Sequence, residues 1–196
     1  MAARKYVIIK YNAGNIRSLD FALRRLGVEA EITDDHEKIK SAYGVIFPGV
    51  GEAGSTMNYL RERGMDILIK NLRQPVLGIC LGQQLLCSWS EEGRTSCIGV
   101  FPDKVLKFPP QGKIPHMGWN SLDQVSGDLF SEDMQGEYCY FVHSYYVPLS
   151  SSTAAITNYL LPFSAALQKD NFFATQFHPE KSGDVGSRIL AKFIDL

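Results

Sequence analysis

The sequence predicts a single α/β domain over residues 1–196, built on a mixed, largely parallel sheet that helices cover on both faces. Three observations lead to this fold class. In the first half of the chain, short apolar runs of β type alternate with amphipathic helical runs, a pattern typical of helix-covered parallel sheets. The second half is richer in strands, which makes the sheet mixed. The length suits one compact domain, and no internal repeat or low-complexity linker divides the chain.

The first half supplies the alternating elements. Residues 6–9 (Tyr-Val-Ile-Ile) form a short run of β-branched and aromatic side chains, which favours a strand. Residues 15–26 carry apolar side chains three and four positions apart, which predicts a helix that ends at Gly27. The next strands are predicted at 30–33, 44–47 and 76–79, and a further helix at 55–72 that can break at Gly64.

The second half supplies the remaining strands and a closing helix. Its apolar and β-branched runs predict strands at 104–108, 138–147, 154–158, 165–169 and 172–177. Residues 185–194 predict the last helix. In parallel sheets of this kind ligands bind beyond the carboxyl ends of the strands, so we expect the functional site there.

The composition of the chain argues against several functional classes of protein. The net charge of −1 provides no field that favours nucleic acid or an anionic membrane. No apolar stretch approaches the roughly 18 residues of a membrane span, and no signal-peptide pattern opens the chain. Four cysteines at irregular spacing, without a Cys-x-x-Cys pair, argue against a structural zinc site or a disulfide framework. We therefore expect a cytoplasmic protein with free thiols, without a metal site.

Two motifs that are far apart in the sequence together predict one catalytic site. Residues 78–82 (Gly-Ile-Cys-Leu-Gly) follow an apolar strand and precede a helical pattern, which is the Gly-x-nucleophile-x-Gly elbow with Cys80 in place of serine. We expect the glycines to let the backbone make this sharp turn. Near the other end of the chain, His178 and Glu180 lie on one face of an extended segment. We predict Cys80 as nucleophile, His178 as general base and Glu180 as the group that orients the imidazole.

The oxyanion of such a reaction needs backbone N–H donors. One is expected from Leu81, the residue after the nucleophile, and the other from residues 48–51 (Pro-Gly-Val-Gly), around Gly49 and Val50. The two glycines would allow this loop two peptide orientations. Replacing Gly49 with alanine is then expected to restrict the loop.

Together these motifs resemble the class I, triad-type glutamine amidotransferases. The resemblance covers essentially the whole chain, and the further segments 11–18, 115–120, 140–146 and 178–183 make it similar to the glutaminase subunits of imidazole glycerol phosphate synthase. It implies a class I glutamine amidotransferase-like fold, and hydrolysis of glutamine to glutamate and ammonia through a Cys thioester, without a cofactor. One departure is Lys10–Asn15, where the family often shows Asp-Tyr-Gly before Gly-Asn.

The resemblance also implies partners and binding residues. It implies that ammonia passes to a β/α-barrel cyclase, which forms a heterodimer with this chain and makes imidazole glycerol phosphate and aminoimidazole carboxamide ribotide. It implies glutamine-binding roles for Gln84, Glu92, Ser144 and Tyr145, and a partner interface that includes Asn12, Asn15, His116, Trp119 and Lys181. The resemblance also implies that the isolated chain keeps an oxyanion donor of the 48–51 loop turned away, and that the partner with its nucleotide favours the competent orientation. No nucleic acid or membrane partner is expected. His143, in an aromatic strand, is expected to be a core or interface histidine rather than a second base.

Three alternatives stay open on the sequence. The chain could serve another triad amidotransferase, such as the small subunit of anthranilate synthase. It could be a non-catalytic interaction subunit, although the intact Cys80, His178 and Glu180 argue against this. It could also be a free-standing hydrolase of γ-glutamyl compounds, which would need no partner. The absence of a Gly-x-x-x-x-Gly-Lys loop agrees with a chain that handles glutamine while its partner binds the nucleotide.

Overall fold

The computed structural model describes residues 4–11 and 16–196, and it confirms the predicted mixed α/β fold. The helices are α1 (Ile16–Arg25), α2 (His36–Ser41), α3 (Ala53–Glu62), α4 (Met65–Lys70), α5 (Leu81–Leu86) and α6 (Gly183–Asp195). The strands are β1 (Tyr6–Ile9), β2 (Ala30–Thr33), β3 (Gly44–Gly49), β4 (Val76–Cys80), β5 (Trp89–Ser90), β6 (Thr95–Ser96), β7 (Lys104–Lys107), β8 (His116–Ser121), β9 (Gln124–Val125), β10 (Tyr138–His143), β11 (Tyr145–Tyr146), β12 (Thr153–Tyr159), β13 (Leu161–Lys169) and β14 (Phe172–Thr175).

An eight-stranded sheet forms the centre of the molecule, in the order β2-β1-β3-β4-β14-β13-β12-β9. Its first five strands are parallel and the others antiparallel. Gly49 of β3 lies opposite Cys80 of β4, and Thr175 of β14 lies opposite Ile79. The carboxyl ends of these three neighbouring strands therefore meet at one edge of the sheet. A two-stranded ribbon of β8 and β10 and a four-stranded sheet, β11-β7-β5-β6, complete the structure.

Helices cover both faces of the sheet, as predicted. On β1, Tyr6 and Ile8 point to a core that includes residues of α1 and α6, whereas Val7 and Ile9 point to a second core with α2, α3, α4 and α5. Successive strand residues face opposite sides of a sheet, so the two cores lie on its two faces. A strand buried on both faces must be apolar throughout, which explains the unbroken apolar run at 6–9.

Several local features differ from the predicted elements. The expected strand at 138–147 divides at Ser144 into β10 and β11, which belong to different sheets. Helix α2 was not predicted; the Asp35 carboxylate caps it by accepting from the backbone N–H groups of Glu37 and Lys38. Strands β5, β6, β8 and β9 were also not predicted. The predicted break at Gly64 is confirmed, since this glycine has φ +63° between α3 and α4.

Candidate active site

The predicted elbow is present at the junction of β4 and α5. Cys80 has φ 55° and ψ −109°, a conformation that non-glycine residues rarely adopt. The flanking glycines serve close packing rather than the turn itself, which corrects the expectation from the sequence. A Cβ atom on Gly82 would lie 2.0 Å from the carbonyl oxygen of Phe47, and one on Gly78 would lie 2.7 Å from Leu86 Cδ1. Glycine at position 82 therefore lets α5 approach β3, and glycine at position 78 lets α5 pack closely on β4.

His178 and Glu180 form a buried pair beside the elbow. The Nδ1 atom of His178 lies 2.8 Å from Oε1 of Glu180, and both side chains are almost fully buried. Burial alone would lower the pKa of His178, but its interactions with the Cys80 sulfur and the Glu180 carboxylate outweigh this effect and raise the pKa to about 10. The protonated imidazole is thus favoured next to the Cys80 sulfur. Such an imidazolium can stabilise a thiolate and later protonate a leaving group.

A cavity of about 400 Å³ opens above the Cys80 side chain, a volume suited to a small polar ligand. It lies at the carboxyl edge of the sheet, where the sequence predicted the site. Most of the predicted site residues line it, namely Val50, Cys80, Leu81, Gln84, Glu92, Ser144, Tyr145 and His178, together with Gly51, Pro115, Val142 and His143. The fold therefore brings together residues that are up to 128 positions apart in the chain.

Amide groups of Gln84 and Gln176 link the cavity wall to the thiol. Gln84 Nε2 donates to the carbonyl oxygen of Tyr145 at 3.1 Å and to Gln176 Oε1 at 2.9 Å. Gln176 Nε2 in turn lies 3.8 Å from Cys80 Sγ. Both amide hydrogens of Gln84 are used inside the protein, so only its Oε1 can serve a ligand, as an acceptor. Sequence reasoning missed Gln176, although it lies two residues before the predicted base.

Glu92 offers the cavity a carboxylate. One of its oxygens, Oε2, accepts from the backbone N–H of Ala53 at 2.8 Å, which fixes the side chain at the start of α3. Burial raises the pKa of Glu92 above the usual carboxyl value. A cationic group placed in the cavity would favour the charged form of this carboxylate. The Ser144 carbonyl accepts one hydrogen bond, from the backbone N–H of Phe108.

The predicted oxyanion residues lie beside the thiol. Leu81 is the first residue of α5, so its backbone N–H has no partner within the helix. Gly49, however, is the last residue of β3 rather than part of a free loop, and a Cβ atom there would lie 2.4 Å from the backbone nitrogen of Gly82. Replacing Gly49 with alanine would therefore force the elbow apart, and the expectation that it would only restrict a loop is wrong. Upstream, the Tyr11 hydroxyl donates to the carbonyl oxygen of Pro48.

The residues expected at a partner interface differ in accessibility. Trp119 is 56% exposed, and Lys181 is exposed with its Nζ 5.9 Å from the ring centre of Tyr140. His116 is only 3% exposed, because its ring packs on the buried face of the ribbon against Tyr159. The expectation that it presents an accessible side chain to the partner is therefore wrong. Asn12 and Asn15 lie outside the described residues.

The same ribbon exposes further apolar side chains. Met117 is 60% exposed and Tyr138 57% exposed, and both lie on the strands that carry Trp119 and Tyr140.

Within residues 4–11 and 16–196, no group of three or more His, Cys, Asp or Glu side chains is arranged to hold a metal ion. In the same part of the chain, no helix is long and apolar enough to cross a membrane.

Comparison with known proteins identifies the family to which the sequence belongs and several similar sequences. A family model described as "Glutamine amidotransferase class-I" matches residues 7–196. The chain is 61% identical over 195 residues to the imidazole glycerol phosphate synthase subunit HisH of Bacteroides fragilis, covering 98% of this chain and 100% of that protein. It is 42% identical to the protein of the same name from Colwellia psychrerythraea, covering 100% of this chain and 95% of the relative.

Solved structures share the fold at low sequence identity. The crystal structure of a glutamine amidotransferase superposes with a TM-score of 0.74 at 20% identity, covering 96% of this chain and 97% of the other. A glutamine amidotransferase from Thermotoga maritima gives a TM-score of 0.64 at 16% identity, covering 97% of this chain and 82% of the other. At these identities the likeness supports the fold alone.

Proposed function

The chain belongs to the class I glutamine amidotransferase family, and we propose that it is the glutaminase subunit of an imidazole glycerol phosphate synthase in histidine biosynthesis. Its single domain hydrolyses glutamine to glutamate and ammonia. The ammonia passes to a β/α-barrel cyclase, with which the chain forms a heterodimer. The full-length identity to subunits of that enzyme supports this choice over anthranilate synthase and over a free-standing hydrolase. Free thiols at all four cysteines suit a reducing cytoplasm.

The observation that carries this proposal is the placement of Cys80 at a strained elbow, next to the buried His178–Glu180 pair and at the floor of a cavity. The Cys80 thiolate attacks the side-chain carbonyl carbon of glutamine, and the imidazolium of His178 gives its proton to the departing ammonia. Water, deprotonated by the neutral imidazole, then cleaves the thioester to release glutamate and the thiol. Glu180 keeps the imidazole in the orientation that both steps need.

We propose that the oxyanion of each tetrahedral intermediate is held by the backbone N–H of Leu81 and by that of Val50. The N–H of Leu81 is free of helix bonding at the start of α5, and Val50 lines the same cavity. Gly49 keeps β3 close enough to the elbow for both groups to reach one oxygen atom.

Recognition of the amino-acid end of glutamine follows from the groups that the cavity leaves unused. We propose that the Glu92 carboxylate and Gln84 Oε1 accept from the α-ammonium group. The Tyr145 carbonyl already accepts two hydrogen bonds, and the Ser144 carbonyl accepts one from Phe108. Because a carbonyl oxygen cannot donate to a carboxylate, these residues would use donor groups, such as the Ser144 hydroxyl, toward the carboxylate of glutamine. This assignment predicts selectivity for an α-amino acid over a simple amide.

The outer face of the β8–β10 ribbon is the surface that we propose for the cyclase. It presents Met117, Trp119 and Tyr138, with Lys181 beside Tyr140 at its margin. Val142 of the same ribbon lines the glutamine cavity, so a partner docked here would lie beside the point where ammonia is released. Exposed aromatic side chains next to a polar rim are typical of protein interfaces.

A glutaminase assay tests the proposal directly. The chain is assayed alone, with the cyclase, and with the cyclase plus its phosphorylated nucleotide ligand. We expect glutamine hydrolysis to rise strongly only in the complete complex, with ammonia consumed by the cyclase. Activation by the large subunit of anthranilate synthase instead, or full activity of the chain alone, would overturn the proposal.

The assignment of the base has its own test. In the complex, His178→Asn should suppress the reaction of Cys80 with a glutamine-derived affinity label, because the replacement cannot hold the proton beside the sulfur. Mass spectrometry of the labelled peptide gives the rate. Labelling of Cys80 at the wild-type rate in His178→Asn would place the base elsewhere.

A further inference from the structure

Two buried histidines contact each other on the buried face of the β8–β10 ribbon. His116 and His143 lie directly opposite in the strand register, with Nδ1 of His116 2.9 Å from Nε2 of His143. The Nδ1 atom of His143 lies 2.7 Å from the carbonyl oxygen of Tyr145. At the other end, the Asn120 amide nitrogen lies 3.3 Å from Nε2 of His116. The four residues form one continuous hydrogen-bonded chain between the ribbon and the glutamine cavity.

The proton positions in this chain follow from its end group. A carbonyl oxygen only accepts, so Nδ1 of His143 carries a hydrogen. In a neutral ring Nε2 of His143 is then an acceptor, which places a hydrogen on Nδ1 of His116, and Nε2 of His116 accepts from Asn120. Every contact thus joins one donor to one acceptor when both rings are neutral. Burial lowers the pKa of His143 to about 3 and that of His116 to about 4, in agreement with this arrangement.

Aromatic packing fixes both rings. The His116 ring is stacked between Tyr159 and Phe141, with ring centres 4.0 and 4.9 Å away. The His143 ring packs against Phe108 and Phe163, at 5.3 and 5.2 Å. Rotation of either ring would require these neighbours to move, and closely packed interiors resist such movement. The tautomer and the orientation of both histidines are therefore set by the fold.

The chain of contacts continues past Tyr145 to the thiol. The Tyr145 carbonyl accepts from His143 and also from Gln84, so both of its lone pairs are used. Gln84 then donates to Gln176 Oε1, and Gln176 Nε2 faces Cys80 Sγ at 3.8 Å. His143 cannot act as a base here, because both of its ring nitrogens are engaged in the chain.

We propose that His143, held by His116, is a positioning residue for glutamine. It fixes the Tyr145 carbonyl, and this carbonyl orients the Gln84 amide so that Oε1 of Gln84 faces the substrate. This inference rests on the proposed glutaminase function and adds two residues to its machinery. It implies that a donor at the Nδ1 position of residue 143 is required, whereas the rest of the imidazole serves mainly to hold that donor in place.

Three substitutions at one position separate this role from simple packing. His143→Leu removes the donor, and we expect the KM for glutamine of the complex to rise about fivefold to tenfold, with a smaller change in kcat. His143→Asn places an amide nitrogen near the position of Nδ1 and should recover most of the loss. His143→Gln places its amide near Nε2 and should not. His36→Leu, on helix α2 away from the cavity, is the matched control and should leave the KM unchanged.

The wild-type complex is measured first, because its failure to hydrolyse glutamine would refute the proposed function and not this inference. If the wild type is active, a KM of His143→Leu equal to that of the wild type, or equal losses in the asparagine and glutamine variants, would overturn the positioning role. Nitrogen-15 NMR of the unmodified complex gives an independent test if the leucine variant does not fold. Both rings should be neutral at pH 6 with the hydrogen on Nδ1, and a hydrogen on Nε2 of His143 would contradict the inference.

Discussion

Gly49 is the position where one added methyl group should have the largest effect on the site. An alanine Cβ would lie 2.4 Å from the Gly82 backbone nitrogen and 2.6 Å from Leu81 Cβ. Favourable contacts between such atoms lie near 3.5 Å, so β3 and the start of α5 must separate by about 1 Å. Neither neighbour is the flexible end of a side chain, so the strain falls on the backbone that carries Cys80.

The magnitude follows from two effects. Overpacking of this kind costs about 1–3 kcal/mol of unfolding free energy. A shift of about 1 Å between the nucleophile and its oxyanion donors costs on the order of 10²-fold in rate, so we expect the glutaminase kcat of Gly49→Ala to fall by about that factor. The measurement is glutamine hydrolysis in the complex with cyclase and nucleotide, together with denaturant unfolding of the chain.

Two controls separate displacement of the site from general destabilisation. Gly136→Ala has open space around the added Cβ but a φ of +84°, so it should cost about 1–2 kcal/mol of stability while kcat stays unchanged. Synthesis with added ammonium should persist in the Gly49→Ala complex, because it bypasses glutamine hydrolysis. A Gly49→Ala variant with wild-type glutaminase activity would refute the reasoning that this glycine is required by close packing of β3 on the elbow.

Three further outcomes are expected. Cys80→Ala should lower glutamine-dependent synthesis about 10⁴-fold or more and spare ammonium-dependent synthesis; glutamine hydrolysis by this variant would exclude Cys80 as nucleophile. Trp119→Ala should weaken cyclase binding about 30-fold in titration calorimetry, whereas Ile67→Ala, 67% exposed on α4, should not, and equal effects would argue against the ribbon as interface. His116 and His143 stay neutral in the folded protein but take up protons near pH 6.5 in the unfolded chain. The unfolding free energy should therefore decrease as the pH is lowered from 6.5 to about 4, by up to about 1.4 kcal/mol per pH unit for each histidine. A pH dependence of the wild type equal to that of His143→Leu would contradict this expectation.

The sequence predicted the parts of the fold that local pattern determines. Strands β1 and β2 have the predicted bounds, because the unbroken apolar run of β1 and the β-branched Ile32 and Thr33 of β2 are local signals. The elbow and the His178–Glu180 pair were predicted because their chemistry requires particular residue types at short spacing. The fold places them together because β4 and β14 are parallel neighbours, and their ends bring both motifs to one edge of the sheet.

The features that were missed depend on contacts between distant parts of the chain. His116 is buried because Tyr159, which is 43 positions later, stacks on its ring. Gln176 was missed because its contacts are with Gln84 and Cys80, about a hundred positions earlier, and no local pattern indicates them. The tight approach of Gly49 to α5 is not visible in the sequence, because a glycine required by packing and one required by conformation look alike there.

Detection of the covalent intermediate tests the proposed glutaminase mechanism most directly. The complex with cyclase and nucleotide is quenched in acid while it turns over glutamine, and the peptide that contains Cys80 is examined by mass spectrometry. We expect a glutamyl thioester on Cys80 in the wild type and no adduct in Cys80→Ala. Continued hydrolysis of glutamine by a wild-type complex whose Cys80 never becomes acylated, with the adduct on another residue, would contradict the mechanism.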